Sequence, residues 1–258
     1  EKMLGKNMTY SCGYWVGDSI TTLDEAQKAK FDLICRKLNL KNGQKILDIG
    51  CGFGSFAKYA ASHHGVSVVG ITISKEQAAF ARNLVNGLPV EILVQDYRNI
   101  QGMFDHIVSV GMFEHVGRKN YRAFMQKART LLKDDGLFLL HTVGGNRSAV
   151  STDPWLNKYI FPNGLIPSIA QIGRSIEYLF VMEDWHNFGV NYDKTLMAWF
   201  KNFDAVWPTF REKYDDRFYR MWKYYLLSSA GTFRARYLGL WQIVLSPKGI
   251  PGGYQSIR

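Results

Sequence analysis

An α/β fold is what this sequence predicts, with a mostly parallel sheet covered by helices on both faces, an antiparallel closing strand and an aromatic-rich helical insertion. Three observations carry that prediction. Apolar runs of strand length alternate with segments of helical period from residue 45 to residue 143. A glycine cluster, "DIGCGFG", closes the first of those runs at residues 48–54. Hydrophobic residues make up 47% of the 258, enough for the sizeable core that such a sheet requires.

The elements follow in order. Leu23, Ala26, Phe31, Ile34, Cys35 and Leu38 recur at helical spacing, so an amphipathic helix precedes the first strand and Cys35 is a core residue. Strand "KILDIG", a helix over Ser55–His64, strand "VSVVGIT", a helix over Lys75–Asn86 and strand "VEILVQ" come next. "FDHIVSV" is the fourth strand, 120–132 a helix, and "GLFLLHTV" the fifth strand. Near-continuous apolar strands joined by helices fit a parallel sheet buried on both faces. After Gly144 the regularity stops, and "DPWLNKYIFPNGLIPS" reads as an insertion over the strand ends, ahead of "EYLFVMEDW". Residues 195–230 read as two helices broken near Trp207 and Pro208, and "LGLWQIVLSP" as the closing strand. No repeat, low-complexity tract or linker divides the chain, so one domain over 1–258 is expected.

Composition narrows the function classes. The longest apolar runs, "ILDIG" and "LFLLHTV", fall far short of the ~20 residues of a spanning helix. The start, "EKMLGKN", has no signal-peptide pattern and no initiator methionine, so export is not indicated and an upstream segment is expected. Cys12, Cys35 and Cys51 form an odd set without CxxC spacing, which argues against a disulfide framework and a structural zinc site and for the reducing cytoplasm. His63, His64, His106 and His186 show no ligand spacing either, and no metal is assigned. A formal charge of +10 implies an acidic partner surface, nucleic acid or anionic lipid.

The glycine cluster is more specific. Asp48 ends the strand, and Gly50, Gly52 and Gly54 form the tight loop into the helix, where a ligand can approach the backbone closely. The spacing is GxGxG, whereas the dinucleotide fingerprint is GxGxxG with an acid about 20 residues on. This chain has "GITIS" at that distance. The pattern is that of the Rossmann-like class I methyltransferases that use S-adenosylmethionine, in which Asp48 can orient the loop or offset the cofactor's positive charge. Past the third strand, "VQDYRNI" places Asp96 and Tyr97 where a carboxylate can meet an adenine amino group and a ring can stack on the base.

"MTYSCGYW", "LDIGCGFG", "VGITISKEQ", "QDYR", "SVGMFEHVG", "LLHT", "DPWLNKYIFPNG", "EDWHNFGVNYDKTLMAWF" and "FRAR" together resemble the cyclopropane-fatty-acyl-phospholipid synthases, over nearly the whole chain and in order. The family's N-terminal helical domain has no counterpart in these 258 residues and is expected in the full-length protein. The resemblance implies transfer of a methylene unit from S-adenosylmethionine to a cis double bond of a phospholipid acyl chain, a chemistry shared with the synthases that act on mycolic acids. It implies a bound bicarbonate as base, ringed by Cys12, Glu114, His141, Val143 through its backbone (often isoleucine in the family) and Tyr192. For the cofactor, resemblance and loop agree on Tyr10, Ser11, Gly50, Gly52, Thr72, Gln77, Asp96 and Tyr97, beside Asp48 and Gly54.

On this reading residues 1–40 are a helical lead-in, 41–144 the cofactor-binding core, 145–236 the acyl-substrate insertion and helices, and 237–258 the closing strand and tail. His115, next to Glu114, is read as structural, serving the loop backbone. The basic, aromatic segment 210–236 faces an anionic membrane surface from the cytoplasmic side, or else forms a lid or homodimer helix. Nucleic acid is disfavoured, because no Asn-Pro-Pro-Tyr, Asp-Pro-Pro-Tyr or Pro-Cys motif is present. A small-amine N-methyltransferase and a non-catalytic lipid-binding module are the alternatives.

Overall fold

Seven strands build one sheet in the order β3-β2-β1-β4-β5-β7-β6. The computed structural model describes residues 2–17 and 19–258. β1 (Lys45–Ile49), β2 (Ser67–Thr72), β3 (Val90–Val94), β4 (Phe104–Val110) and β5 (Leu132–Gly145) run parallel. β7 (Leu238–Ser246) is antiparallel to β5 and to β6 (Val181–Asn187). The predicted α/β sheet with its antiparallel closing strand is therefore the observed one.

Strand alternation sends neighbouring side chains into two cores. Ile46 and Val68 pack with Phe31, Ile34 and Phe56 from α1 (Leu23–Lys37) and α2 (Ser55–His64). Leu47 and Ile107 face the opposite way, into a core with Phe113, Phe124 and Phe138 that involves α4 (Tyr121–Leu131). The helix starts are written locally. Thr22 and Glu25 form a capping box on α1, and Ser74 accepts the Gln77 N–H at the start of α3 (Lys75–Leu84).

The structure departs from the sequence reading beyond Gly144. The segment read as irregular holds two short helices, α5 (Pro154–Tyr159) and α6 (Ile169–Ile176), capped by Asp153 and by a Ser168–Gln171 box. The stretch "VMEDWHN" is the edge strand β6, whose mixed polarity hides it because its only ladder is to β7. The two aromatic helices are offset from their expected bounds: α7 starts earlier and spans Val190–Val206, and α8 starts and ends later and spans Asp216–Arg234, with a 3-10 turn at Trp207–Thr209 between them. Leu196, Trp199 and Phe203 of α7 pack against Tyr225, Leu226 and Phe233 of α8, a third core over the strand ends. Among the described residues no helix is long and apolar enough to cross a membrane.

Candidate active site

A cleft of about 530 Å³ opens over the C-terminal ends of β1 to β4, where ligands of open α/β sheets sit. Its floor is the glycine loop. Gly50, Gly52 and Gly54 all take positive φ, at 82°, 54° and 82°. Gly50 is the tightest: a Cβ there would come within 2.7 Å of Met112 Cβ, and its N–H and that of Cys51 are spent on the Ile71 carbonyl. Gly54 does not line the cleft; it starts α2, and its missing Cβ lets α2 approach Ala81 of α3. Tyr10, Ser11, Asp48, Gly50, Gly52, Thr72, Gln77, Asp96 and Tyr97 all line it. His115 lines it too, its ring edge-on to Phe161, instead of serving the loop backbone.

Many polar groups of the cleft are already partnered. Thr72 Oγ1 donates to Gln77 Oε1 at 2.9 Å. Arg98 grips both Asp96 oxygens, at 2.9 and 2.7 Å, and those hydrogen bonds hold the Asp96 carboxyl below its usual range. Tyr10 stacks on Trp199 at 5.0 Å and bonds Tyr225 through their hydroxyls at 2.8 Å.

Deeper in, at the ends of β4 and β5, the pattern reverses. Glu114 sits on a 3-10 turn, Phe113–His115, and its Oε1 accepts the Val143 N–H at 2.7 Å. Burial pushes this carboxyl up to about 7, against the opposing Val143 bond. Its Oε2 is buried with no partner among the described residues, and the same is true of His141 Nε2. His141, two residues before Val143 on β5 and so on the same strand face, is held well below the usual histidine value by burial, with the Lys30 and Lys37 charges adding to it.

Tyr192 opens α7 with its ring 4.6 Å from Phe233; burial raises its hydroxyl well above the usual value, and neighbouring Cys12, Tyr10 and Glu114 push the same way. Burial drives the Cys12 thiol up to about 12, so it is no thiolate nucleophile; it donates to the Gly13 carbonyl at 3.1 Å. Cys12, Val143 and Tyr192 pack in one cluster, and Val143 is bonded to Glu114.

A family profile described as "Mycolic acid cyclopropane synthetase" matches residues 1–243. The chain belongs to that family. It is 53% identical over all 258 residues to the cyclopropane-fatty-acyl-phospholipid synthase of Escherichia coli strain K12 and spans 67% of that protein's length. A sphingolipid C9-methyltransferase of Candida albicans is 35% identical over 253 residues, covering 90% of this chain and 48% of that protein. Among solved structures, the mycolic acid cyclopropane synthase CmaA1 in complex with SAH and CTAB superposes with a TM-score of 0.87 at 32% identity, over 95% of this chain and 92% of that one. Coclaurine N-methyltransferase bound to N-methylheliamine and SAH gives 0.83 at 26% identity, over 95% and 80%. With these relatives the chain is an S-adenosylmethionine-dependent methyltransferase.

Four further residues shape this synthetase-family site, and the sequence reading did not single them out for it. Lys30 is fully buried on α1, lines the cleft, and donates to Ser11 Oγ at 2.8 Å and Gln27 Oε1 at 2.6 Å. Burial lowers its ammonium to about 7 and raises the Asp48 carboxyl to about 7, while each charge pulls the other back. Thr195 on α7 accepts from the Gly13 N–H and from Trp15 Nε1, tying the Cys12 segment to the helix. Arg98 holds Asp96, and Gln242 on β7 faces His141. Two of these leave a trace in the sequence. Lys30 falls on the buried stripe with Ala26 and Ile34, and Gln242 interrupts "LWQIVL".

Proposed function

We propose that the protein transfers a methylene unit from S-adenosylmethionine to the cis double bond of an unsaturated phospholipid acyl chain, closing a cyclopropane ring with bicarbonate as the general base. The observation that carries this reading is the pair of buried, unpartnered atoms, Glu114 Oε2 and His141 Nε2, behind a methyltransferase cleft. Leaving both bare costs free energy unless a small polar group completes them. A bicarbonate ion fits that donor and acceptor set.

The cleft suits the cofactor in size and chemistry, since ~300–1,000 Å³ is usual for such ligands. Thr72 and Gln77 offer neutral hydrogen bonds for ribose hydroxyls, Asp96 and Tyr97 a carboxylate and a ring for adenine, and Tyr10, Ser11 and the glycine loop close the amino-acid end. When bound there, S-adenosylmethionine supplies an activated methyl group on a sulfonium. Tyr10, Trp199 and Tyr192 form a contiguous aromatic cluster with Tyr10 at the cleft, and such faces would exclude water and tolerate the positive charge that develops on an alkylated alkene. Bicarbonate supplies a weak base, sufficient because a proton beside a carbocation is very acidic. His141 would offer a neutral N–H to such an anion and Tyr192 a phenol, and Glu114 Oε2 would accept its hydroxyl proton. The thiol of Cys12 takes no part, and Val143 acts through its backbone by fixing Glu114.

The basic α8 supports a peripheral position on an anionic, cytoplasmic membrane face, with Arg217, Arg220 and Lys223 beside Phe218 and Trp222. Vesicles of cis-monounsaturated phospholipid, incubated with protein, methyl-labelled S-adenosylmethionine and bicarbonate, test the reaction by mass spectrometry. Gain of one labelled CH2 with loss of the alkene is expected, and none on saturated lipid. Methylation of a small amine with unchanged lipid would move the assignment to the N-methyltransferase branch of the fold.

A further inference from the structure

Gln242 lies fully buried in the middle of β7 between Trp241 and Ile243, in a stretch that is otherwise apolar from Leu240 to Leu245. Its side chain makes one contact of note. In the antiparallel ladder Gln242 stands directly opposite His141, and its amide nitrogen lies 3.3 Å from His141 Nδ1. The amide oxygen has no partner among the described residues.

We propose that Gln242 is a positioning residue: its amide donates to His141 Nδ1 and so fixes the imidazole as the tautomer that carries its proton on Nε2, aimed at the space beside Glu114. Only one nitrogen of a neutral imidazole bears hydrogen, so whatever engages Nδ1 decides what Nε2 can do. Reversing the amide would set a carbonyl against Nδ1 and strand an NH2 group, with two donors, in the same dry place. That is the costlier arrangement, since a bare carbonyl oxygen is tolerated more readily than a bare N–H.

The other neighbour of Gln242 does not compete for it. His186 on β6 stands opposite Gln242 on the far side, but its Nδ1 is taken by Lys37 Nζ at 3.1 Å. His141 thus has Gln242 at Nδ1 and no partner among the described residues at Nε2. The role of the Nε2 proton, to hold a small anion, rests on the bicarbonate reading above; the tautomer itself does not.

The test separates the two. With 15N-labelled histidine in the whole protein, and His141 assigned by its loss in His141→Asn, the nitrogen shifts report the tautomer directly. The native protein is expected to show Nε2–H. Gln242→Glu, which presents acceptors to Nδ1, is expected to convert it to Nδ1–H, and Gln242→Met to leave a mixture. Both variants should retain affinity for S-adenosylhomocysteine. Gln242→Met strips the buried His141 Nδ1 of its partner and should lower the melting temperature, so the nitrogen shifts and not the melt distinguish positioning from a merely structural role. The bicarbonate KM should rise about tenfold, one hydrogen bond to an anion, with kcat nearly unchanged at saturation. Nδ1–H in the native protein overturns the proposal, as does a tautomer indifferent to Gln242→Glu. If the tautomers behave as stated but nothing depends on bicarbonate, the anion reading falls and the positioning of His141 stands.

Discussion

The open cleft and the closed space behind it solve opposite problems with the same sheet. Around the glycine loop the polar groups satisfy one another, Thr72 with Gln77 and Asp96 with Arg98, so a ligand must exchange one set of hydrogen bonds for another. Beside Glu114 and His141, burial leaves a carboxylate oxygen and a ring nitrogen with nothing to exchange. On the function proposed above, the first arrangement suits a large substrate that comes and goes, and the second a small ion that stays bound between turnovers.

Breaking that contrast at its deep end should have the largest effect. Glu114→Gln keeps the shape and the Val143 bond but loses the charged acceptor, and kcat is expected to fall on the order of a thousandfold with cofactor affinity unchanged by calorimetry. pH sharpens the assignment. With a folded value of about 7, the native Glu114 keeps its proton between about pH 4.5 and 7 where the unfolded chain has lost it. More protons bound in the native state means that stability falls as pH rises through that window, and Glu114→Gln should flatten the fall in denaturant midpoints. Activity should rise through pH 7 in the native protein, and that limb should vanish in the variant. Loss of cofactor binding in a folded Glu114→Gln would sink the division of labour between the two halves.

Lys30→Met comes next. Losing the buried ammonium leaves Ser11 Oγ and Gln27 Oε1 without their donor and takes a positive charge from the surroundings of the buried Asp48, and a loss of about 3 kcal/mol in chemical denaturation is expected. Adding Asp48→Asn should restore part of it; if the two losses simply add, the charges are not coupled. The smallest effect belongs to the open side. Asp96→Asn removes a partly exposed carboxylate whose partner Arg98 is free to turn to water, so affinity for S-adenosylhomocysteine should weaken about tenfold with little change in melting temperature.

The open half was the legible one. Strand-sized runs, the GxGxG spacing and the capping residues Thr22 and Ser74 are local signals, and the first four strands and the first four helices lie close to where those signals put them. The family resemblance named Glu114, His141 and Tyr192, which no spacing within the chain would have joined. What escaped both was set by packing between distant segments. β6 needs the β7 ladder to exist, His115 takes its place from the 3-10 turn, and Lys30 and Gln242 gain their meaning from partners 19 and 101 residues away. A lysine on an apolar helix face and a glutamine in an apolar strand were visible as anomalies, but neither says what it is for until the fold closes.

The strand order also fixes a timetable. β6 has a single neighbour in the sheet, β7, and β7 is made some fifty residues later than β6. A nascent chain emerging from the ribosome can therefore assemble the parallel half, with its glycine loop, while β6 waits without a hydrogen-bonding partner and the outer edge of β5 lies open. The last strand arrives between the two, like a slat pushed into a gap, and brings Gln242 with it. Until then the growing polypeptide carries unpaired strand edges at β5 and β6, the kind of surface on which chains pair with one another.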